Sequence, residues 1–258
     1  MQNRAYILSE TTWKTVRKAE YSVAVLPWGA TEAHNLHLPY GTDTLQTEAI
    51  AAASARVAWE RGARVLVLPA IPFGVNTGQL DIRGDINMMP STQLAVLRDV
   101  AGSLSRQGFR KLVVLNGHGG NEFKPAIREL QPQFPGLFFC LVSWYAILPL
   151  SGFFEDTGEH GGEMETSNML VIAPECVLPL SEAGEGKLHP FRLKGLRDGT
   201  AWTPREWTKA TEDTGIGNPA KASAEKGSRY LDALAQRIGS FLVELAQADP
   251  EQVYQAGP

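Results

Sequence analysis

Short runs dense in Val, Leu and Phe recur along the chain and alternate with longer stretches in which apolar residues return at helical spacing. Ser22–Leu26, Arg64–Leu68, Lys111–Leu115 and Leu137–Val142 have strand length and few polar interruptions. That is the pattern of strands covered on both faces, as in a parallel sheet. Helices are expected between them at Thr44–Arg61, Ser91–Gln107 and Asn121–Leu130, and beyond them at Gly162–Val171 and Ala222–Gln247. Ser91, which follows Pro90, is the expected N-cap of the second helix, and Gly62 and Gly108 stand where C-caps belong. Alternating strands and helices predict an α/β fold with a mostly parallel sheet. No internal repeat or linker interrupts the pattern, so one domain is expected over residues 1–258. The segment Glu182–Pro219, rich in Gly, Pro, Lys and Asp, is expected to be irregular and is a candidate cover for a site.

In open α/β sheets the ligand crevice lies outside the carboxyl ends of the strands. Gly29–Asp43 follows the first strand, Phe73–Asn87 the second and Asn116–Asn121 the third. These polar segments should therefore converge on one edge of the sheet, where loops on a rigid scaffold usually carry chemistry.

Four of the five histidines fall in three short polar runs: Glu32-Ala-His34 with Asp43 beyond, Asn116-Gly-His118-Gly-Gly, and Glu159-His160-Gly-Gly-Glu163-Met-Glu165. Such residue types suit a hydrolytic metal. An extended E-x-H places Glu32 and His34 on one side of the backbone, and a carboxylate such as Asp43 can bridge two ions. Ions about 3.5–4 Å apart clamp a shared hydroxide and a substrate oxygen. The ordinary reading is that Asp43 caps the helix starting near Thr44.

The glycines around His118 allow close backbone approach and leave free N–H groups, Gly119 among them, pointing at a ligand. A helix-capping turn is the alternative there; no phosphate-loop motif and no G-x-S-x-G elbow is present. In the third run, a helix starting near Gly162 would put Glu163 in its first turn, where the N–H dipoles favour a carboxylate, and leave His160 free as a proton donor. An ordinary acidic helix start competes with that reading. His37 suits a supporting role and His189 the surface, while Trp144 and Tyr145 either wall a pocket or belong to the core.

Composition narrows the classes. Apolar content of 43% and charged content of 20% are those of a soluble globular chain, and a net charge of −4 gives no footprint for nucleic acid. Two cysteines, Cys140 and Cys176, in apolar surroundings make no disulfide framework. Neither a leader nor a membrane span is visible at the N-terminus. A cytoplasmic protein is expected.

Together the runs resemble the creatininase family. Its pattern, G-[ST]-x-E-x-H-x-x-H-L-P-x-x-T-D, then N-G-H-G-G-N, then H-[AG]-G-E-x-E-T-S, stands here as Gly29–Asp43, Asn116–Asn121 and His160–Ser167. The resemblance implies a binuclear metal hydrolase on a three-layer α/β/α fold, usually a homo-oligomer, with a hexamer among the possible forms. Glu32 and His118 would hold one ion and His34 the other, with Asp43 bridging, and His160 would match the catalytic proton-transfer histidine.

The chain departs from creatininase at two places. Where creatininase takes a second-ion ligand from a glutamate two residues after the middle histidine, Gly120 stands here. Glu163 is the expected replacement, as ligand and in catalysis, with Glu122 behind it. The substrate loop reads Gly74-Val-Asn76-Thr77-Gly78-Gln79-Leu-Asp81, without the serine and E-H pair common there. Asn76, Gly119 and Trp144 are the substrate-binding candidates.

The expected activity is hydrolysis of a non-peptide C–N bond in a small-molecule cyclic amide or formamide, although the family also holds peptide-modifying members. Two divalent ions are expected, and Zn²⁺, Mn²⁺ and Fe²⁺ all accept the ligand set. A non-catalytic metal- or small-molecule-binding protein on the same fold is the rival, which the spare His160 disfavours. A metal-free serine hydrolase is disfavoured by the missing elbow.

Overall fold

The computed structural model describes residues 4–255. Four parallel strands, β1 (Val23–Trp28), β2 (Val65–Val67), β3 (Lys111–Asn116) and β4 (Phe138–Ser143), form one sheet in the order β2-β1-β3-β4. Every residue of β1, β2 and β3 is buried, as the unbroken apolar runs anticipate. Register follows from pairing Val25 with Val67 on one side and with Val113 on the other.

Helices cover both faces. On one side, α1 (Thr42–Glu60) and α5 (Ala224–Gln247) pack Ile50, Ala55, Tyr230, Leu234 and Ile238 against Val23, Val25, Val65, Val113 and Leu115. On the other, α2 (Pro90–Arg106) and α3 (Phe123–Leu130) set Leu97, Ala101, Phe123 and Leu130 against Ala24, Leu26, Leu112 and Val114. The alternation of β-strand side chains between faces makes these two separate cores, and the three-layer α/β/α arrangement is complete. A fifth helix, α4 (Glu163–Ile172), lies against α1 and α5.

Expected boundaries shift by one or two residues, with one instructive change. Ser91 does not cap α2: Met89 is the N-cap and Pro90 occupies the first helical position, where its fixed φ suits the helix and its missing N–H costs nothing. Gly62 and Gly108 sit just past the ends of α1 and α2 with φ of +88° and +84°, the left-handed conformation expected of them. Among the described residues, no helix is long and apolar enough to cross a membrane.

The chain leaves β1 toward β2 on one side and returns to β3 on the other. The loops after β1 and β3 therefore flank the point where the strand order reverses, which is where an open α/β sheet forms its crevice.

Candidate metal centre

Three carboxylates (Glu32, Asp43, Glu165) and three imidazoles (His34, His118, His160) meet in that crevice, all buried. The loop after β1 supplies Glu32 and His34, and the first turn of α1 supplies Asp43. His118 comes from the loop after β3; His160 and Glu165 come from the approach to α4 and its first turn. His118 Nδ1 lies 2.8 Å from Glu32 Oε1 and 3.0 Å from Asp43 Oδ2. His34 Nε2 lies 3.1 Å from Asp43 Oδ1 and 3.7 Å from Glu165 Oε1. Asp43 thus turns one oxygen to each histidine, the stance of a bridging carboxylate.

The far nitrogen of each ring meets a main-chain carbonyl: His34 Nδ1 with Glu32 O at 3.1 Å, His118 Nε2 with Val75 O at 3.1 Å, His160 Nε2 with Ala33 O at 2.8 Å. A carbonyl only accepts, so these nitrogens carry the proton. The neutral ring's lone pair is then left facing the carboxylates. Main-chain carbonyls orient metal-binding histidines in this way. The donor set fits divalent cations: the ligand atoms of Glu32–Asp43–His118 and of His34–Asp43–Glu165 each fall within 4.8 Å of one another. A proton is the poorer occupant, because Asp43 Oδ2 is buried without a hydrogen bond although His118 Nδ1 is 3.0 Å away.

Charge behaviour agrees. Burial works against an imidazolium at His34, but Asp43, Glu165 and Glu32 outweigh it and hold the group up to about 10. His118 is likewise raised well above the usual imidazole value, against its burial, by Glu32 and Asp43. Burial also opposes ionisation of Asp43, yet the two histidines hold its carboxyl well below the usual carboxylate range. His160 is lowered by burial and by its neighbour His34, so it stays neutral. The cluster demands positive charge, and His160 is the member least suited to provide it.

Glu163 does not join the cluster, which corrects the expectation for the second set of ligands. Its carboxylate meets Lys226 Nζ at 2.5 Å and accepts from the amides of Glu155 (3.0 Å) and Asp156 (2.7 Å). Two residues along an α-helix are separated by roughly 200° around the axis, so only one of Glu163 and Glu165 can face His34. Glu165 does, accepting from Gly161 N at 2.6 Å and Gln46 Nε2 at 3.3 Å. Gly120 could not have carried the carboxylate: a Cβ there would stand 2.3 Å from Val75 O and 2.5 Å from His118 Nε2. Glu122 is exposed on the wall of the adjoining cavity, outside the cluster.

That cavity, about 1080 Å³, opens onto Glu32, His118 and His160, and Asn76 and Gly119 are among the residues that line it. Asn76 donates to Thr31 O and Ile86 O, leaving its buried Oδ1 without a partner. Trp144 is elsewhere: its ring is in the core behind α1 and its indole N–H donates to Thr47 Oγ1 at 3.1 Å. His37 supports α4 from behind, its Nε2 2.9 Å from Thr166 Oγ1.

Two residues at the site had no assigned role. Gln79 donates to Glu32 Oε2 from the loop after β2; its place in that loop was the available signal. Trp207, from the irregular segment, packs on His160, and nothing in its surroundings in the sequence marked it. The 182–219 segment is indeed largely irregular and contributes Phe191, Leu196, Trp202–Arg205 and Trp207 to the cavity wall. It is stitched to the histidine loop by a two-bond bridge, His160 N to Ile216 O (3.0 Å) and Ile216 N to His160 O (2.7 Å).

Fold and site define an α/β protein with a candidate metal centre at the carboxyl edge of its sheet, open to a large cavity. The chain belongs to the creatininase family: the family model described as creatinine amidohydrolase matches residues 9–242. A creatinine amidohydrolase from Pseudomonas putida is 30% identical over 270 residues, covering 94% of this chain and 98% of its own. A mycofactocin precursor peptide peptidase from Mycobacterium ulcerans is 28% identical over 249 residues, covering 93% and 88%. A crystal structure from Bacteroides fragilis, provisionally assigned as a creatinine amidohydrolase, superposes with a TM-score of 0.92 at 43% identity and covers 98% of this chain and 100% of its own. Creatininase structures of a Zn-Zn type and a Mn form, both 25% identical, give TM-scores of 0.75 and 0.74 over 94% of this chain and 99% of theirs. The protein is a creatininase-family hydrolase.

Proposed function

We propose that this hydrolase uses two divalent ions to cleave a non-peptide C–N bond in a cyclic amide or formamide. Glu32, His118 and Asp43 would hold one ion, and His34, Glu165 and Asp43 the other. The single observation that carries the reading is Asp43, buried between two carbonyl-anchored histidines with one oxygen turned to each. Zn²⁺, Mn²⁺ or Fe²⁺ suits this mixed N/O set, and the zinc and manganese forms of creatininase support the first two. Bound there, the ions would supply Lewis acidity toward a carbonyl oxygen and a water acidic enough to react at neutral pH.

The chain's own residues do the rest. Gln79 fixes Glu32, and the carbonyls of residues 32, 75 and 33 fix the three rings. His160, neutral and with Nδ1 turned toward Glu32 at 4.0 Å, is placed to take a proton and return it to the leaving nitrogen. Asn76 Oδ1 and the Gly119 amide offer an acceptor and a donor to the substrate.

A second reading, hydrolysis of a peptide bond, is favoured by the cavity. Its volume of about 1080 Å³ is at the upper end of what drug-sized ligands occupy, and a peptide peptidase is among the relatives. The proposal also includes a single domain and a cytoplasmic homo-oligomer; the free thiols of Cys140 and Cys176 support a reducing compartment.

The test is metal content by mass spectrometry on protein purified without added metal, beside Asp43→Ala. About two ions per chain, lost in the variant, are expected, and a screen of creatinine, formamides and short peptides then identifies the bond. A wild-type chain that is empty and takes up neither Zn²⁺ nor Mn²⁺ would sink the reading.

A further inference from the structure

Four flat groups stand in a row from the cluster to the rim of the cavity. The His34 and His160 rings are 4.0 Å apart and 28° from parallel, and the Trp207 ring lies 4.6 Å from that of His160. The Arg205 guanidinium stands 5.2 Å from the Trp207 ring. The row closes on itself, because Arg205 pairs at 3.1 Å with Glu159, the residue next to His160.

The outer two members belong to the irregular segment, and that segment is docked with care. Trp207 N donates to Gly78 O at 3.0 Å and Thr208 Oγ1 to Asp81 Oδ2 at 2.5 Å. A Cβ on residue 78 would stand 1.9 Å from Arg205 O, so only glycine lets the two loops meet. These contacts place an indole against an imidazole that has a single side-chain hydrogen bond of its own, to Ala33 O. That hydrogen bond fixes the proton on Nε2, and His34 covers one face of the ring, which leaves the ring room to swing away from His34 unless its other side is also covered. Packing against a large flat neighbour removes that freedom and keeps bulk water off the ring.

We propose that Trp207 is the positioning residue of His160: its indole holds the imidazole with Nδ1 turned to the metal centre, and the Arg205–Glu159 pair fastens it there. The inference rests on His160 being the proton-transfer group. It assigns a function to the irregular segment beyond covering the cavity, since the residue that aims the histidine comes from a different loop than the histidine itself.

The full-length protein tests this through His160 directly, without knowledge of the substrate. The probe is diethyl pyrocarbonate, with modification of His160 followed by peptide mass spectrometry. Long-range ¹H–¹⁵N spectra of the ring nitrogens give the second readout. Trp207→Ala and Gly78→Ala should each raise the His160 modification rate at least tenfold and replace the single Nε2–H tautomer by a mixture. Trp207→Phe, which keeps a flat ring, should stay within about twofold of wild type with one tautomer. An unchanged rate and a single tautomer in a folded Trp207→Ala protein would overturn the assignment. Should that variant fail to fold, Gly78→Ala decides by the same two readouts, because it leaves the indole in the chain and displaces only its backbone.

Metal content, measured on every variant, separates this idea from the proposed function. Loss of ions in the wild type speaks against the hydrolase mechanism, whereas the role of Trp207 stands or falls on the rate and tautomer of His160.

Discussion

Gln79 donates its side-chain amide to Glu32 Oε2, leaving Oε1 of the same carboxylate to face His118 Nδ1 at 2.8 Å. The glutamine lies in the loop after β2, so a third strand end reaches the candidate metal centre without adding to the clustered carboxylates and imidazoles. Partners that orient ligands in this way typically contribute about 10–100-fold to metal affinity or activity. Gln79→Leu should therefore weaken metal binding by roughly that factor while leaving the fold intact, measured by competition with a chromogenic chelator. Unchanged affinity would mean that the backbone alone orients Glu32.

Glu163 and Glu165 are two residues apart and do different work, which a pair of variants separates. Glu165→Gln should lose one of the bound ions and keep the melting temperature of the metal-free protein within a few degrees. Glu163→Gln should keep the metal content and lower the melting temperature, because Lys226 and the amides of residues 155 and 156 lose their charged partner. Mass spectrometry and calorimetry on the same samples read both effects. The reverse result would return Glu163 to the metal.

His37 gives the fold a pH dependence with a defined sign. Burial, helped by the charge of His34 and opposed by Asp213, pushes it down to about 4. The folded protein therefore keeps His37 neutral while the unfolded chain takes up a proton near the usual value, about 6.5. Its contribution is full above pH 6.5 and is lost as pH falls from there toward 4. Melting temperatures of metal-free wild type should drop across that window more steeply than those of His37→Gln. Parallel curves would remove His37 as the cause.

Two glycines inside helices should respond in opposite directions to alanine. A Cβ on Gly227 would stand 2.0 Å from Ser167 O, whereas one on Gly102 would meet Phe134 only at 3.8 Å. Helix propensity favours alanine at both by up to about 1 kcal/mol. At Gly102 that gain should appear as a higher melting temperature. At Gly227 it is outweighed by forcing α4 and α5 apart, at a cost of about 1–3 kcal/mol, and the melting temperature should fall.

What could be read in the sequence and what could not follows from the kind of signal each feature leaves. Strands β1 to β3 are buried along their whole length, so Val23–Leu26 and Leu112–Leu115 stand out as unbroken apolar runs of strand length. Gly62 and Gly108 mark the ends of α1 and α2 because the chain there needs a positive φ. Glu32, His34, Asp43 and His118 were visible because each directly follows a strand or opens a helix.

Glu165 was hidden for a physical reason. The helix Glu163–Ile172 buries every residue from Glu163 to Met169, so it has no wet face from which to infer which glutamate points inward. Trp144 misled because the end of β4 reaches the same edge as the site, yet its indole turns back to Thr47. Trp207 left no trace, since an irregular segment has no periodicity to place it.

The bridge between His160 and Ile216 sets a limit for anyone seeking to retarget this enzyme. Residues 205–218 hold His160 and its neighbours in place through Arg205, Trp207 and Ile216, whereas residues 187–204 shape the chamber. Grafting a new loop should exchange the latter and leave the former untouched, so that a change in what enters the chamber does not disturb the group that acts on it.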